Sequence, residues 1–247
     1  GDIVVVDSFS TDATPEILHG HPTVRMFQRR FDRHANQWNY GLRETGIKTP
    51  WVLAMDADYL LSDALIEELR TLQPAPGQNG FWVRFRYCVF GKPLRGSLYP
   101  PVTALYQAER SHYRQDGHTQ RIQVEGTVGE LSSIIFHDDR KPLNHWLQAQ
   151  DRYMRIEADL ISRQSWRALG WPDRLRKTMV LNPFFVFFYC LLVRGLIMDG
   201  RHGLFYTLQR MLAETLLSLR LLQITLVGDD PGNDTPPGAV SAERKRT

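Results

Sequence analysis

The feature that most constrains this chain is a repeated pairing of a short apolar run with aspartate. Ile3-Val4-Val5-Val6 leads into Asp7, and Trp51-Val52-Leu53-Ala54-Met55 leads into Asp56-Ala57-Asp58. Short runs that are apolar all round read as strands buried on both faces. The intervening chain is helical in character. Thr14 reads as an N-cap with Pro15 at the first helical position, and this short helix ends near Gly20. Residues 23–28 predict another strand and 36–45 another helix. Ser62 is expected to cap a helix through Leu72, with Leu65, Ile66, Leu69 and Leu72 on one face. Strand and helix alternate over the first eighty residues, which predicts an α/β domain with a mostly parallel sheet. In open sheets of that kind ligands bind beyond the carboxyl ends of the strands, where both acidic groups stand.

The character changes after the loop Pro74 to Gly80. Residues 81–91, FWVRFRYCVFG, alternate and are rich in aromatics, which predicts a strand and a hairpin. Residues 103–107 and 129–136 predict further strands, and the reading is helical from Leu143 onward. The domain organisation expected is an α/β part over 1–140, a helical extension over 141–227, and a disordered Pro/Gly/charge-rich tail over 228–247. With 247 residues and 43% hydrophobic content the chain can bury a sizeable core. A formal net charge of +3 excludes a strongly cationic nucleic-acid binder. Two cysteines, Cys88 and Cys190, cannot build a disulfide framework or a multi-cysteine zinc site, and they fit a reducing compartment.

Asp56 and Asp58 are two residues apart, so in extended geometry they face the same side. Paired hard carboxylates at a sheet edge suit Mg²⁺ or Mn²⁺ bridging to phosphate oxygens. A turn or a helix cap is the competing reading of so short a pattern. Three motifs taken together add to this: Asp7-Ser8-Phe9-Ser10-Thr11-Asp12, then Gln37-Trp38-Asn39-Tyr40-Gly41, then Asp56-Ala57-Asp58. In order and spacing they resemble the family 2 inverting glycosyltransferases of the GT-A (Rossmann-like) fold. The likeness covers residues 1 to about 137 and continues more weakly through HDDRKPLNHWLQAQDRYMRIEADL, which looks like the lipopolysaccharide-core glucosyltransferase-like branch.

The resemblance implies a hexosyltransferase using a nucleotide-diphosphate sugar, with a UDP-sugar favoured, and a saccharide or lipid-linked glycan as acceptor. By resemblance, Asp7 contacts the nucleotide base, and Ser8, Ser10 and Asp12 help seat the nucleoside. Gln37 and Asn39 match positions near the nucleotide. Asp56 stands near ribose or the sugar, and Asp58, with Asp56, ligates the metal. Relatives often carry a His-Glu pair before a V-x-G-x-V-G-x-L segment, here Val124 to Leu131; Gln120 stands nearest the place of that Glu. A Gln side chain cannot accept a proton at neutral pH. Asp116 and His118 remain as candidate general bases, with Asp116 favoured, and a turn at Asp116-Gly117 with a structural His118 is the bland alternative. Arg121 could hold a phosphate or an acceptor carboxylate, and reads equally well as a surface residue. His137-Asp138-Asp139 reads as a strand end and loop rather than a second metal site, and Trp146, Tyr153 and Trp166 read as packing residues. Relatives have a strand and helix before the point where this chain begins, so an N-terminally incomplete catalytic part is expected, with one side of residues 2–6 lacking a neighbour.

The C-terminal third carries a different signal. Phe184 to Val193 is ten unbroken apolar residues, too few to cross a bilayer core of about 30 Å as a helix. Residues 204–227 form an amphipathic pattern with Leu204, Leu208, Met211, Leu212, Thr215, Leu216, Leu219 and Leu222 as the stripe. From Arg163 to Gly228 there are nine Lys/Arg and three acids. A basic segment with this apolar content and two tryptophans suits a membrane interface. Packing on the catalytic part, or a dimer, is the alternative. The expectation is therefore an enzyme of cell-envelope polysaccharide biosynthesis, peripheral at the cytoplasmic face of the membrane. Two alternatives remain: a catalytically degenerate nucleotide-sugar-binding module, and a sugar-phosphate nucleotidyltransferase. The second usually opens on a Gly-rich phosphate loop, and none is visible here.

Overall fold

The structure is a computed structural model that describes residues 1–116 and 119–227. His118, a candidate base, and the expected tail over 228–247 lie outside the described residues. The chain forms two compact units, one of residues 1–56, 64–84 and 101–133, the other of residues 57–63, 85–100 and from 134 onward. The division is not the single boundary near residue 140 expected from sequence, because two long strands each begin in the first unit and end in the second.

In the first unit, β1 (Ile3–Asp7) and β2 (Val24–Gln28) pair in parallel across helix α1 (Thr14–His19). The register sets Asp7 opposite Gln28. Thr14 is the first helical residue rather than the cap, and its N–H is taken by the Asp12 carboxylate at 3.0 Å. Helix α2 (His34–Arg43) follows, then β3 (Trp51–Leu53). Strand β4 (Tyr59–Leu61) belongs to the second unit, and α3 (Asp63–Thr71) leads back into the first, with Leu65 fully buried. The Ser62 hydroxyl donates to the Ile134 carbonyl at 2.9 Å. The long β5 (Gln78–Val89) turns at Phe90-Gly91 into β6 (Lys92–Pro93); β7 (Val102–Gln107), β8 (Ser111–Asp116), β9 (Thr119–Val124) and β10 (Thr127–Asp138) follow.

The expected mostly parallel sheet is corrected here. Strand order is β3-β7-β5-β10-β4 with β6 beside β5, and β1-β2 and β8-β9 form separate two-stranded sheets. The pairs β3–β7, β5–β7, β5–β6, β8–β9 and β10–β4 are antiparallel. Parallel neighbours need a crossover of a dozen or more residues. The chain between β1 and β2 supplies one, whereas β5–β6 is a hairpin with a two-residue turn. Among the described residues β1 pairs with β2 and with no other strand.

One core of the first unit joins α2 to the strands: Ala35, Leu42, Tyr106, Ala108 and Tyr113 are buried, with Trp38, Ile47 and Val52 against them. Asn39 ties the helix to β8, its Nδ2 donating to the Tyr113 carbonyl and its Oδ1 accepting the Tyr113 N–H, both at 2.8 Å. In the V-x-G-x-V-G stretch, Gly126 has φ 101°, and a Cβ there would lie 2.7 Å from the Gly77 carbonyl. Only glycine fits that corner.

The second unit is mainly helical: α4 (Leu143–Arg163), α5 (Trp171–Lys177), α6 (Leu181–Phe188) continued by a π turn over Tyr189–Val193, a 3₁₀ turn over Leu196–Asp199, and α7 (Gly200–Val227). One core gathers Tyr87, Val89, Leu94, Val186, Cys190, Leu196 and Tyr206. Another gathers Ala158, Ile161 and Leu169 with Leu217 and Leu221 of α7. Gly203 lets α7 close on the preceding turn, since a Cβ there would fall 1.9 Å from the Leu196 carbonyl. Five of the eight stripe residues expected on α7 lie outward, and Met211, Thr215 and Leu216 are half-buried. Leu204, Leu208, Leu212, Leu219 and Leu222 are exposed, while Gly203, Tyr206, Thr207, Ala213, Leu217, Ser218 and Leu221 are buried.

Asn39→Ala would strand both backbone groups of Tyr113. The unfolding free energy measured in urea should fall by about 2 kcal/mol; an unchanged value would mean that α2 is held to β8 by the apolar core alone.

Candidate functional site

Each unit carries a group of polar side chains at the predicted acidic positions that the fold holds in place. In the first, Asp7 ends β1 and is buried, 6% exposed. Its carboxylate accepts the Ser10 hydroxyl, the Ser10 N–H at 3.0 Å and Gln28 Nε2 at 3.3 Å. The Ser10 hydroxyl bond holds the Asp7 carboxyl below the ordinary aspartate value, against the opposing effect of burial. Phe9 adopts φ 63° between them and exposes its ring. Non-glycine residues in the left-handed region are uncommon and cluster at functional loops.

Ser8, Gln37 and Arg29 form a chain: Gln37 Nε2 donates to Ser8 Oγ at 3.2 Å, and Arg29 donates to Gln37 Oε1 at 2.9 Å. Arg29 also pairs with Asp32 at 2.7 Å. The structure thus brings Asp7, Ser10 and Gln28 together, and Ser8 with Gln37. Gln28 and Arg29 were not foreseen; the signal was the parallel register that sets Gln28 opposite Asp7. Asn39 spends both ends of its amide on Tyr113, a structural task that its motif position does not reveal. Asp116 closes β8, and its carboxylate meets Arg121 at 2.9 Å across the β8–β9 hairpin.

In the second unit the antiparallel pairing of β4 with β10 sets Tyr59 opposite His137, and the Asp138 N–H donates to the Asp58 carbonyl at 3.0 Å. Asp58, His137 and Asp139 each offer one ligand atom, all within 4.8 Å of one another. His137 Nε2 is 3.3 Å from Asp58 Oδ2. Lys141 Nζ stands 3.2 Å from Asp139 and 3.7 Å from Asp58. The His137 ring is 4% exposed and is caged by Tyr59, Tyr87 and Tyr99, with centroids 5.0, 5.0 and 4.6 Å away. Burial pushes the Asp58 carboxyl up, but His137 and Lys141 outweigh it and hold it below the ordinary value. Asp58 Oδ1 is buried without a hydrogen-bond partner among the described residues.

Two expectations change here. Asp56-Ala57-Asp58 lies on the connection between β3 and β4 rather than on a strand, so strand alternation does not govern where Asp56 and Asp58 face. Asp56 is exposed at the end of the first unit. His137-Asp138-Asp139 is a strand end, as expected, yet His137 and Asp139 stand with Asp58. The intervening Asp138 accepts the Gly91 N–H at 2.9 Å and Arg140 Nε at 2.6 Å, and is structural. His137 lies at the end of β10 and Asp139 follows it, so the available signal was a second acidic strand end like the one at Asp7. Two carboxylates and an imidazole form a donor set suited to a divalent cation, Mn²⁺ in particular.

No curated protein matches the chain. Among solved structures it is similar to the crystal structure of S. aureus TarS 1-349 in complex with UDP, at 12% identity and a TM-score of 0.38, over 91% of this chain and 82% of that one. So distant a likeness bears no functional weight. The family model described as Glycosyl transferase family 2 matches residues 2–141, more than half of the chain. The chain belongs to glycosyl transferase family 2.

Proposed function

We propose that the chain transfers a hexose from a nucleotide-diphosphate sugar, a UDP-sugar by preference, to a saccharide or lipid-linked glycan at the cytoplasmic face of a membrane, with inversion. The observation that carries this reading, besides family membership, is the group Asp58, His137 and Asp139 with its orphaned, buried Asp58 oxygen. Mg²⁺ or Mn²⁺ held there would neutralise the departing diphosphate. His137 orients the Asp58 carboxylate, and the aromatic cage fixes the imidazole. Asp7, pre-set by Ser10 and Gln28, offers an acceptor to the base, and Ser8, Ser10, Asp12, Gln37 and Asp56 line the nucleoside in this reading, while Asn39 is spent on Tyr113. In the reaction the acceptor oxygen bonds to the anomeric carbon from the face opposite the diphosphate. The carbon–oxygen bond to the diphosphate breaks with its electron pair, and the hydroxyl proton goes to Asp116.

The Asp116–Arg121 ion pair favours a second reading, because a carboxylate engaged by a guanidinium is a poorly placed proton acceptor. In that reading the chain binds nucleotide sugars without turning them over.

A panel of UDP-, GDP- and dTDP-sugars separates the two. The enzyme reading expects release of nucleoside diphosphate from one donor class, abolished by chelation and restored by Mn²⁺. Binding without turnover supports the second reading; neither binding nor turnover contradicts both. Asp7→Ala should weaken nucleotide affinity by about 10–100-fold in titration calorimetry, the loss expected for a hydrogen bond to a charged group. An unchanged affinity would remove Asp7 from the nucleotide site.

A further inference from the structure

No single helix of the described residues is long and apolar enough to cross a membrane; the segments Leu181–Val193 and Leu196–Val227 qualify only together, and they are bent by 71°. Both have an unpartnered apolar face. On α6, Leu181, Phe184, Phe185 and Phe188 are 44–61% exposed and span about 100° of arc. On α7, Leu204, Leu208, Leu212, Leu219, Leu222 and Leu226 are 36–79% exposed and fall within about 80° of arc. At the bend Leu192, Val193, Ile197 and Met198 are exposed at 55–70%. Patches of this extent mark an interaction surface.

The charges say what covers it. Residues 163–227 carry nine Lys/Arg and three acids. The structure turns all three acids inward. Asp173 pairs with Arg176, Glu214 with Arg176 and Asn182, and Asp199 accepts the Arg95 N–H at 2.8 Å; their side chains are 14, 12 and 7% exposed. Arg167, Arg174, Arg194 and Arg201 are exposed, as are Trp166 and Trp171 at 50 and 69%. An apolar face in a segment that also exposes arginines and indoles matches an anionic lipid surface, although the Arg174 and Arg194 guanidinium groups also donate to the Leu169 and Ser97 carbonyls. A second copy would set this basic surface against itself.

We propose that the outward faces of α6 and α7 and the bend between them insert into a single leaflet of an anionic bilayer, with the arginines at the headgroups and no helix crossing. This deepens the proposed function, on whose membrane-borne acceptor it rests, by naming the surface that meets the membrane.

The test uses the full chain floated with vesicles of phosphatidylcholine containing roughly a third phosphatidylglycerol, and with phosphatidylcholine alone. The wild type should float with the anionic vesicles, and Phe184→Glu/Phe188→Glu should lower the partition coefficient by at least about tenfold at an unchanged Tm. Leu208→Glu/Leu212→Glu, on the other helix, should do the same. Absence of flotation, or equal flotation of both variants, overturns the proposal. So does a concentration-dependent dimer that the same variants dissociate, which would assign the face to a second copy. UDP binding by the same samples separates the two readings. UDP bound without vesicle binding refutes the membrane surface alone, and vesicle binding without UDP refutes the donor.

Discussion

The pairing of β4 with β10 is the constraint on which the second unit's chemistry depends. Tyr59 lies opposite His137, and the Asp138 N–H meets the Asp58 carbonyl. That register brings together an aspartate and a histidine 79 residues apart in sequence. A slip of one residue would turn His137 to the other side of the strand and exchange it for a neighbour. The aromatic rings around His137 make such a slip costly, because the imidazole fills a cage of Tyr59, Phe85, Tyr87 and Tyr99. Lys141 supplies the positive charge that lets two carboxylates stand so close.

The first unit solves a different problem with the same means. Its parallel pair β1–β2 sets Asp7 against Gln28, and the turn after Asp7 folds Ser10 back on the carboxylate. The donors that hold Asp7 are its own near neighbours and one strand partner, so the group is organised without any bound molecule. Such organisation is what a binding site needs if it is not to spend affinity on ordering itself.

The strand end at Asp7 was legible in the sequence, because an apolar run ending in aspartate carries its meaning locally. Most strand positions and helices were legible for the same reason, but the short β4 and the β8–β9 pair were not. Strand direction was not. The β1–β2 crossover is parallel, and nothing in Trp51–Leu53 says that its partner is the later strand Val102–Gln107 running antiparallel. The metal-type group was half legible: Asp58 stood out, while His137 and Asp139 were set aside as a loop because their tie to Asp58 is made by sheet register. On α7 the periodicity identified the right leucines and could not say which side they face. The buried side is the one carrying Gly203, Thr207, Ala213 and Ser218, small residues that permit close packing. Periodicity alone favours the more apolar side as the buried one, and here that side is left outside.

The most direct test of the account is Mn²⁺ binding followed by electron paramagnetic resonance, which needs no donor or acceptor. The account predicts a site of one-to-one stoichiometry in the wild type, weakened by at least about tenfold in His137→Gln and in Asp139→Asn at unchanged Tm. Wild-type affinity in both variants would contradict it and return the cation to Asp56 and Asp58.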